Sequence, residues 1–173
     1  MVASAIFAAF SCRKEQPPAP AKPDIYWGFV KATKNGSDWA SDPFANINNV
    51  TQKNINFKSD LLTRGLVIIE SFSIWKIPFI PGRYKVFDSD LSIDNGKVGA
   101  AFYYKEDDLP LGDYAINEAD TSNFVELLSY DSLTREIKGR FSLSFKLVYK
   151  PVTSKVPDTV VLRNGEFHTR ILK

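Results

Sequence analysis

The chain has 173 residues, of which 44% are hydrophobic and 13% aromatic, enough for one domain with a real core and too apolar for a disordered one. Its 22 basic and 20 acidic residues are interspersed and leave a net charge of +2, so composition offers no electrostatic footprint for nucleic acid. A single Cys excludes an intrachain disulfide and a multi-thiolate metal centre, and a single His argues against a His-based zinc site.

Residues 1–11, MVASAIFAAFS, are an apolar run too short for a bilayer span, which takes about 20 such residues. The run suits the hydrophobic region of a signal peptide, and the lack of a Lys or Arg before it points to a start upstream of Met1. Cys12 follows Ala9-Phe10-Ser11, which resembles a bacterial lipobox with Ala9 where Leu is usual. Cys12 is therefore the expected lipidation site. Residues 12–23 carry Pro17, Pro18, Pro20 and Pro23, a density that gives an extended tether without a core. Anchor, spacer and domain in that order imply a membrane-anchored lipoprotein of the cell envelope.

Residues 24–173 read as a single β domain. Strands are expected over residues 25–31, with an Asn35-Gly36 hairpin turn returning through Trp39, then a loop and one short strand within 46–58. Residues 64–75 (RGLVIIESFSIW) open on four consecutive apolar residues, as a strand buried on both faces would. Pro78 and Pro81 then confine the chain to an edge or a turn. Further strands are expected at 83–87, 98–105, 114–117, 123–131, 136–150 and 159–171, the last broken by a turn at Asn164-Gly165.

The clearest of these is 136–150, EIKGRFSLSFKLVYK. From Gly139 on, Phe141, Leu143, Phe145, Leu147 and Tyr149 alternate with Arg140, Ser142, Ser144, Lys146 and Lys150, placing one row on a core and the other in solvent. Val148 breaks the pattern. A Gly two residues before an aromatic recurs in Gly82-Arg-Tyr84, Gly112-Asp-Tyr114, Gly139-Arg-Phe141 and Gly165-Glu-Phe167. Such a Gly suits a bulge or a positive-φ turn from which the aromatic enters the core. About nine short strands joined by turn residues predict an antiparallel β-sandwich or barrel, its edges blunted by Pro and Lys.

The segments YDSLTREIKGRFSLSFKL and DTVVLRNGEFHTRI, with PFIPGRYKVF and KATKNGSDWAS upstream, resemble the Gly- and aromatic-rich motifs of a DUF6252-like family of small Bacteroidetes lipoproteins of unknown function. The resemblance implies an all-β lipoprotein at the cell envelope. It brings no catalytic or ligand residues with it.

Asp88, Asp90 and Asp94 are the most metal-like cluster, since calcium takes several oxygens from a compact loop. They fail the spacing of an EF-hand, and Asp94-Asn95-Gly96 is equally a hairpin turn, so no cofactor is expected beyond this calcium alternative. Glu106, Asp107 and Asp108 are the candidate acids of a hydrolase acting on an envelope glycan or other polymer. His168 shares a polar strand face with Glu166 and Arg170, and no Gly-x-Ser-x-Gly motif is present to supply a nucleophile. Trp27, Trp39 and Trp75 are candidates for stacking on a ligand, or else core residues. The function expected from these residues is a non-enzymatic binding or accessory domain for a glycan, peptide or envelope protein, with the hydrolase as its alternative.

Overall fold

The computed structural model describes residues 20–48, 53–89, 91–92 and 95–172. These residues form ten strands: β1 (Phe29–Lys34), β2 (Ser37–Ile47), β3 (Asn54–Leu62), β4 (Ile68–Pro78), β5 (Gly82–Phe87), β6 (Val98–Glu106), β7 (Leu109–Ile116), β8 (Phe124–Tyr130), β9 (Glu136–Tyr149) and β10 (Thr159–Arg170). The fold is all-β, with no helix among the described residues.

Hydrogen-bonded pairing runs β1–β2–β3–β4–β6–β7–β9–β10 and returns to β1, antiparallel at every step. The sheet therefore curls into a ring. β5 and β8 make a second route from β6 to β9, through the one parallel pairing between these ten strands, Val86↔Val98 and Phe87↔Gly99. Each described strand thus has a bonded neighbour on either side over at least part of its length, which leaves none with a wholly free edge of the kind Pro and Lys were expected to blunt.

β9 is long enough to serve both routes. Its last residues pair with β7 and its first with β8. At the handover, the Asn117 amide donates to the Ser144 carbonyl (2.8 Å), and the Ser144 amide donates to Asn123 Oδ1 (2.7 Å). Asn123 Nδ2 in turn donates to the Asn117 carbonyl (2.8 Å), so one buried side-chain amide replaces a missing strand neighbour. Ser142 and Ser144 are consequently buried, not solvated, although they face outward as expected; Arg163 reaches over Ser142 and donates to its hydroxyl.

The inward row of β9 is core. Phe141, Leu143 and Phe145 are almost wholly buried, and the Phe72 ring stands among those of Phe57, Phe141 and Phe145 at centroid distances of 5.1–6.1 Å. Tyr114, Phe141 and Phe167 enter this core, yet Gly112, Gly139 and Gly165 do not use positive φ. Gly139 pairs with Phe167, and Gly165 with Phe141. Each glycine is instead the bare floor on which the other motif's ring lies: a Cβ at Gly139 would stand 2.5 Å from Phe167 Cε1, and one at Gly165 2.5 Å from Phe141 Cδ2.

Four other segments differ from the sequence reading. β1 starts at Phe29 because residues 23–28 form a strap over β2 and β3, where the Trp27 amide donates to the Pro43 carbonyl and Tyr26 Oη to Asp60. β3 is longer than the short strand expected. The apolar residues 66–69 make a turn, with Leu66 at φ 65°, and the entry to β4; the first run of consecutive buried residues in β4 is Glu70-Ser71-Phe72, where outward-facing Ser71 donates to Asp60. β10 runs unbroken through Asn164-Gly165, absorbing the extra residue as a bulge. The Asn35-Gly36 hairpin forms as read, both residues having positive φ.

Candidate functional site

Residues paired across a sheet share a face, so register sorts the candidate residues. Trp39 points into the ring, where its Nε1 donates to Glu70 Oε2 (2.7 Å). Glu70, also inward and buried, pairs with Lys34 through its other oxygen, and the Lys34 ammonium lies 5.2 Å from the Tyr104 ring centroid and 5.7 Å from that of Phe102. Burial, and secondarily the Glu70 charge, pushes the Tyr104 hydroxyl up to about 12. Both Glu70 oxygens are engaged, and Trp39 is a core residue.

Trp27 lies outside the ring at the strap. Its ring stands edge-on to His168 (5.1 Å), Phe29 flanks the same imidazole (6.1 Å), and the Arg170 guanidinium lies 5.6 Å from the indole. His168 faces outward as expected, but these rings half-bury it, and its Nε2 is 2.8 Å from Glu136 Oε2. Glu106, Asp107 and Asp108 make the exposed β6–β7 turn, with Asp107 at φ 59° and its amide donating to the Ile68 carbonyl. Asp90 and Asp94 lie outside the described residues. Among the described residues no three His, Cys, Asp or Glu side chains are grouped to hold a metal.

Trp75 belongs to a different arrangement, on the outer face of β4, β6 and β7. Three rows cross these strands there. Trp75 pairs with Gly99; Ser73 with Ala101 and then Ala115; Ser71 with Tyr103 and then Asp113. The small middle row is the floor of a groove of about 430 Å³, with Trp75 at one end and Tyr103 and Asp113 at the other. Asp88, Leu91 and Val148 also line it, the last two 49% and 65% exposed. The Trp75 indole lies down on Gly99, since a Cβ there would stand 2.5 Å from its Cε2. Burial, then the nearby Asp113 charge, raises the Tyr103 hydroxyl above its ordinary value. No ion pair engages Asp88 or Asp113 among the described residues.

No family model, curated protein or solved structure matches this chain. A larger depression of about 540 Å³ lies over Lys31, Thr33, Asp38 and Glu166, but Lys31 and Glu166 already pair with each other there (3.1 Å). The β4–β6–β7 groove differs in combining exposed apolar side chains with carboxylates that form no ion pair among the described residues.

The three tryptophans are thus not brought together: one is core, one lies at the strap, and one lines the groove. Tyr103, Asp113 and Leu91 were not singled out from the sequence, and Val148 only as the break in the alternation of β9. Two signals mark them. Val148 is the apolar break in the outward row of β9. In β6, VGAAFYYK, the outward positions Gly99, Ala101 and Tyr103 carry no charge although the inward ones already supply core.

Proposed function

We propose that this chain is a non-enzymatic binding module of the cell envelope, anchored in the membrane by a lipid on Cys12, whose ligand lies in the β4–β6–β7 groove. The carrying observation is a groove on the outer face of the sheet in which Leu91 and Val148 are left exposed beside Trp75 and Tyr103. Exposed apolar surface rimmed by polar groups marks binding sites. The lipobox-like Cys12, the proline-rich tether and the resemblance to small Bacteroidetes lipoproteins support the address. Their agreement makes a tethered domain holding its groove clear of the membrane the reading favoured here.

The hydrolase alternative has one observation behind it, the presence of both Asp88 and Asp113 in the same groove. Product analysis after prolonged incubation with a bound polymer separates the two: intact polymer supports a binder, and shortened chains support a hydrolase.

Melting curves of the full chain against a ligand panel test the site, because a ligand that binds the folded state alone raises the melting temperature. A rise that Val148→Lys abolishes supports the groove. A rise that survives both Val148→Lys and Trp75→Ala overturns it. For the anchor, Cys12→Ala shifts the protein from the membrane fraction to the soluble one; an unchanged distribution contradicts lipidation at Cys12.

A further inference from the structure

The geometry points to an uncharged saccharide chain as the ligand of this groove, an inference that rests on the groove being the binding site. Three classes of ligand fit less well, each for a physical reason. An extended peptide that adds as a strand needs unpaired backbone, yet β4, β6 and β7 are each bonded on both sides. Only side chains are on offer. An anionic ligand meets Asp88 and Asp113, and no Lys or Arg lines the groove among the described residues.

A compact cation would suit the carboxylates, but a cation held by aromatics needs rings that converge on it. Here they stand apart. Trp75 and the Ser71 position that pairs with Tyr103 are four residues apart along β4, about 13 Å at the rise of a strand. The Trp75 indole moreover lies down on Gly99 instead of standing up as a wall.

That arrangement suits a pyranose chain. A sugar ring has an apolar C–H face that stacks on a flat indole, and equatorial hydroxyls that donate to carboxylates. Trp75 supplies the platform, Ser73, Ala101 and Ala115 let the ring approach the sheet, and Asp113 and Asp88 accept from hydroxyls at its edge. The distance between Trp75 and Tyr103 exceeds one ring, so an oligosaccharide fills the groove better than a monosaccharide. Leu91 and Val148 flank the chain and exclude water.

Affinity electrophoresis of the full chain tests this, with gels containing neutral polysaccharides (xylan, mannan and a β-glucan), a polyanion (polygalacturonate) or a cationic polymer (poly-lysine). At least one neutral polysaccharide retards the protein. Trp75→Ala weakens that retardation by about tenfold or more, Trp75→Phe restores part of it, and Asp113→Asn weakens it with the fold intact by circular dichroism. Trp27→Ala, at the strap, leaves it unchanged. Retardation by polygalacturonate or poly-lysine alone, lost in Trp75→Ala, overturns the uncharged-saccharide assignment and keeps the groove. Neutral retardation indifferent to Trp75→Ala and Asp113→Asn overturns the groove itself, and retardation by none of the polymers overturns the inference.

Discussion

The Phe167 ring lies directly on Gly139, and Phe141 lies in the same way on Gly165, so that two Gly-x-Phe motifs on neighbouring strands interlock. A flat aromatic over a glycine covers the backbone of the sheet and fixes the register of the pair, because a one-residue slip would put a side chain under each ring. The two rings stack at 6.5 Å with an interplanar angle of 28°, and Phe167 continues to Phe57 at 4.7 Å.

Gly139→Ala therefore destabilises the protein. In a strand, replacing Gly by Ala ordinarily helps by restricting the unfolded chain, but here the methyl meets Phe167 and also the Glu126 carbonyl oxygen 2.5 Å away. Overpacking of this kind costs about 1–3 kcal/mol. Gly65, whose Cβ would find only Thr63 Oγ1 at 3.8 Å, is the control: Gly65→Ala changes the denaturation midpoint little. Equal effects at the two glycines would contradict the interlock.

Alternation made much of this fold legible. The inward row of β9, the Asn35-Gly36 hairpin and most strand positions follow from period 2 and turn chemistry, which are local. The ring closure is not local. It depends on β9 exchanging partners at Ser144, and the device that permits this is an asparagine 21 residues away in the chain. Outward burial was hidden for the same reason, since Ser142 is covered by Arg163 from another strand. The groove was half legible: Val148 was visible as an exception, but its meaning depended on Trp75, Tyr103 and Asp113, which only the pairing of β4, β6 and β7 brings together.

Asn123 and Phe145 separate these two kinds of information. Phe145→Ala, at an inward position plain from sequence, costs about 3–5 kcal/mol through lost burial and a cavity. Asn123→Ala removes the partner of the buried Ser144 amide and of the part-buried Asn117 carbonyl, at about 1–3 kcal/mol for the buried group left unsatisfied. Ser144→Ala keeps the backbone bonds at the handover and has the smallest effect of the three. Chemical denaturation gives the order, and a larger loss in Ser144→Ala than in Phe145→Ala would place the inward face of β9 wrongly.

The turn after β7 carries an acid-sensitive contact. Asp120 is held down at about 2 from an ordinary 3.8, first by hydrogen bonds from the Ser122 hydroxyl and amide and then by Arg163, 2.5 Å away. A carboxylate depressed in the folded state stabilises fully above its unfolded value and loses that contribution as pH falls through the folded one. Wild type is accordingly more stable than Asp120→Asn at pH 6, and the difference shrinks between about pH 4 and pH 2. A difference independent of pH over that window would show that the charge is not what matters.

Lys34 and Glu70 make the opposite test, a pair inside the ring. Glu70→Gln leaves the Lys34 charge without its counterion and costs about 2–4 kcal/mol, toward the lower end of the range for broken buried pairs because Lys34 retains some access to water. Lys34→Met combined with Glu70→Gln removes both charges and is milder than Glu70→Gln alone. A double variant less stable than the single one would contradict the assignment of this pair to core architecture.

The proposed site is tested most directly by the three indole N–H resonances in a proton–nitrogen correlation spectrum, assigned by Trp→Phe replacement and followed as a retarding neutral oligosaccharide is added. Ligand in the groove shifts the Trp75 signal, while the Trp39 signal, tied to Glu70 inside the ring, and the Trp27 signal at the strap stay in place. A Trp75 signal that stays fixed while Trp27 or Trp39 moves would contradict the account.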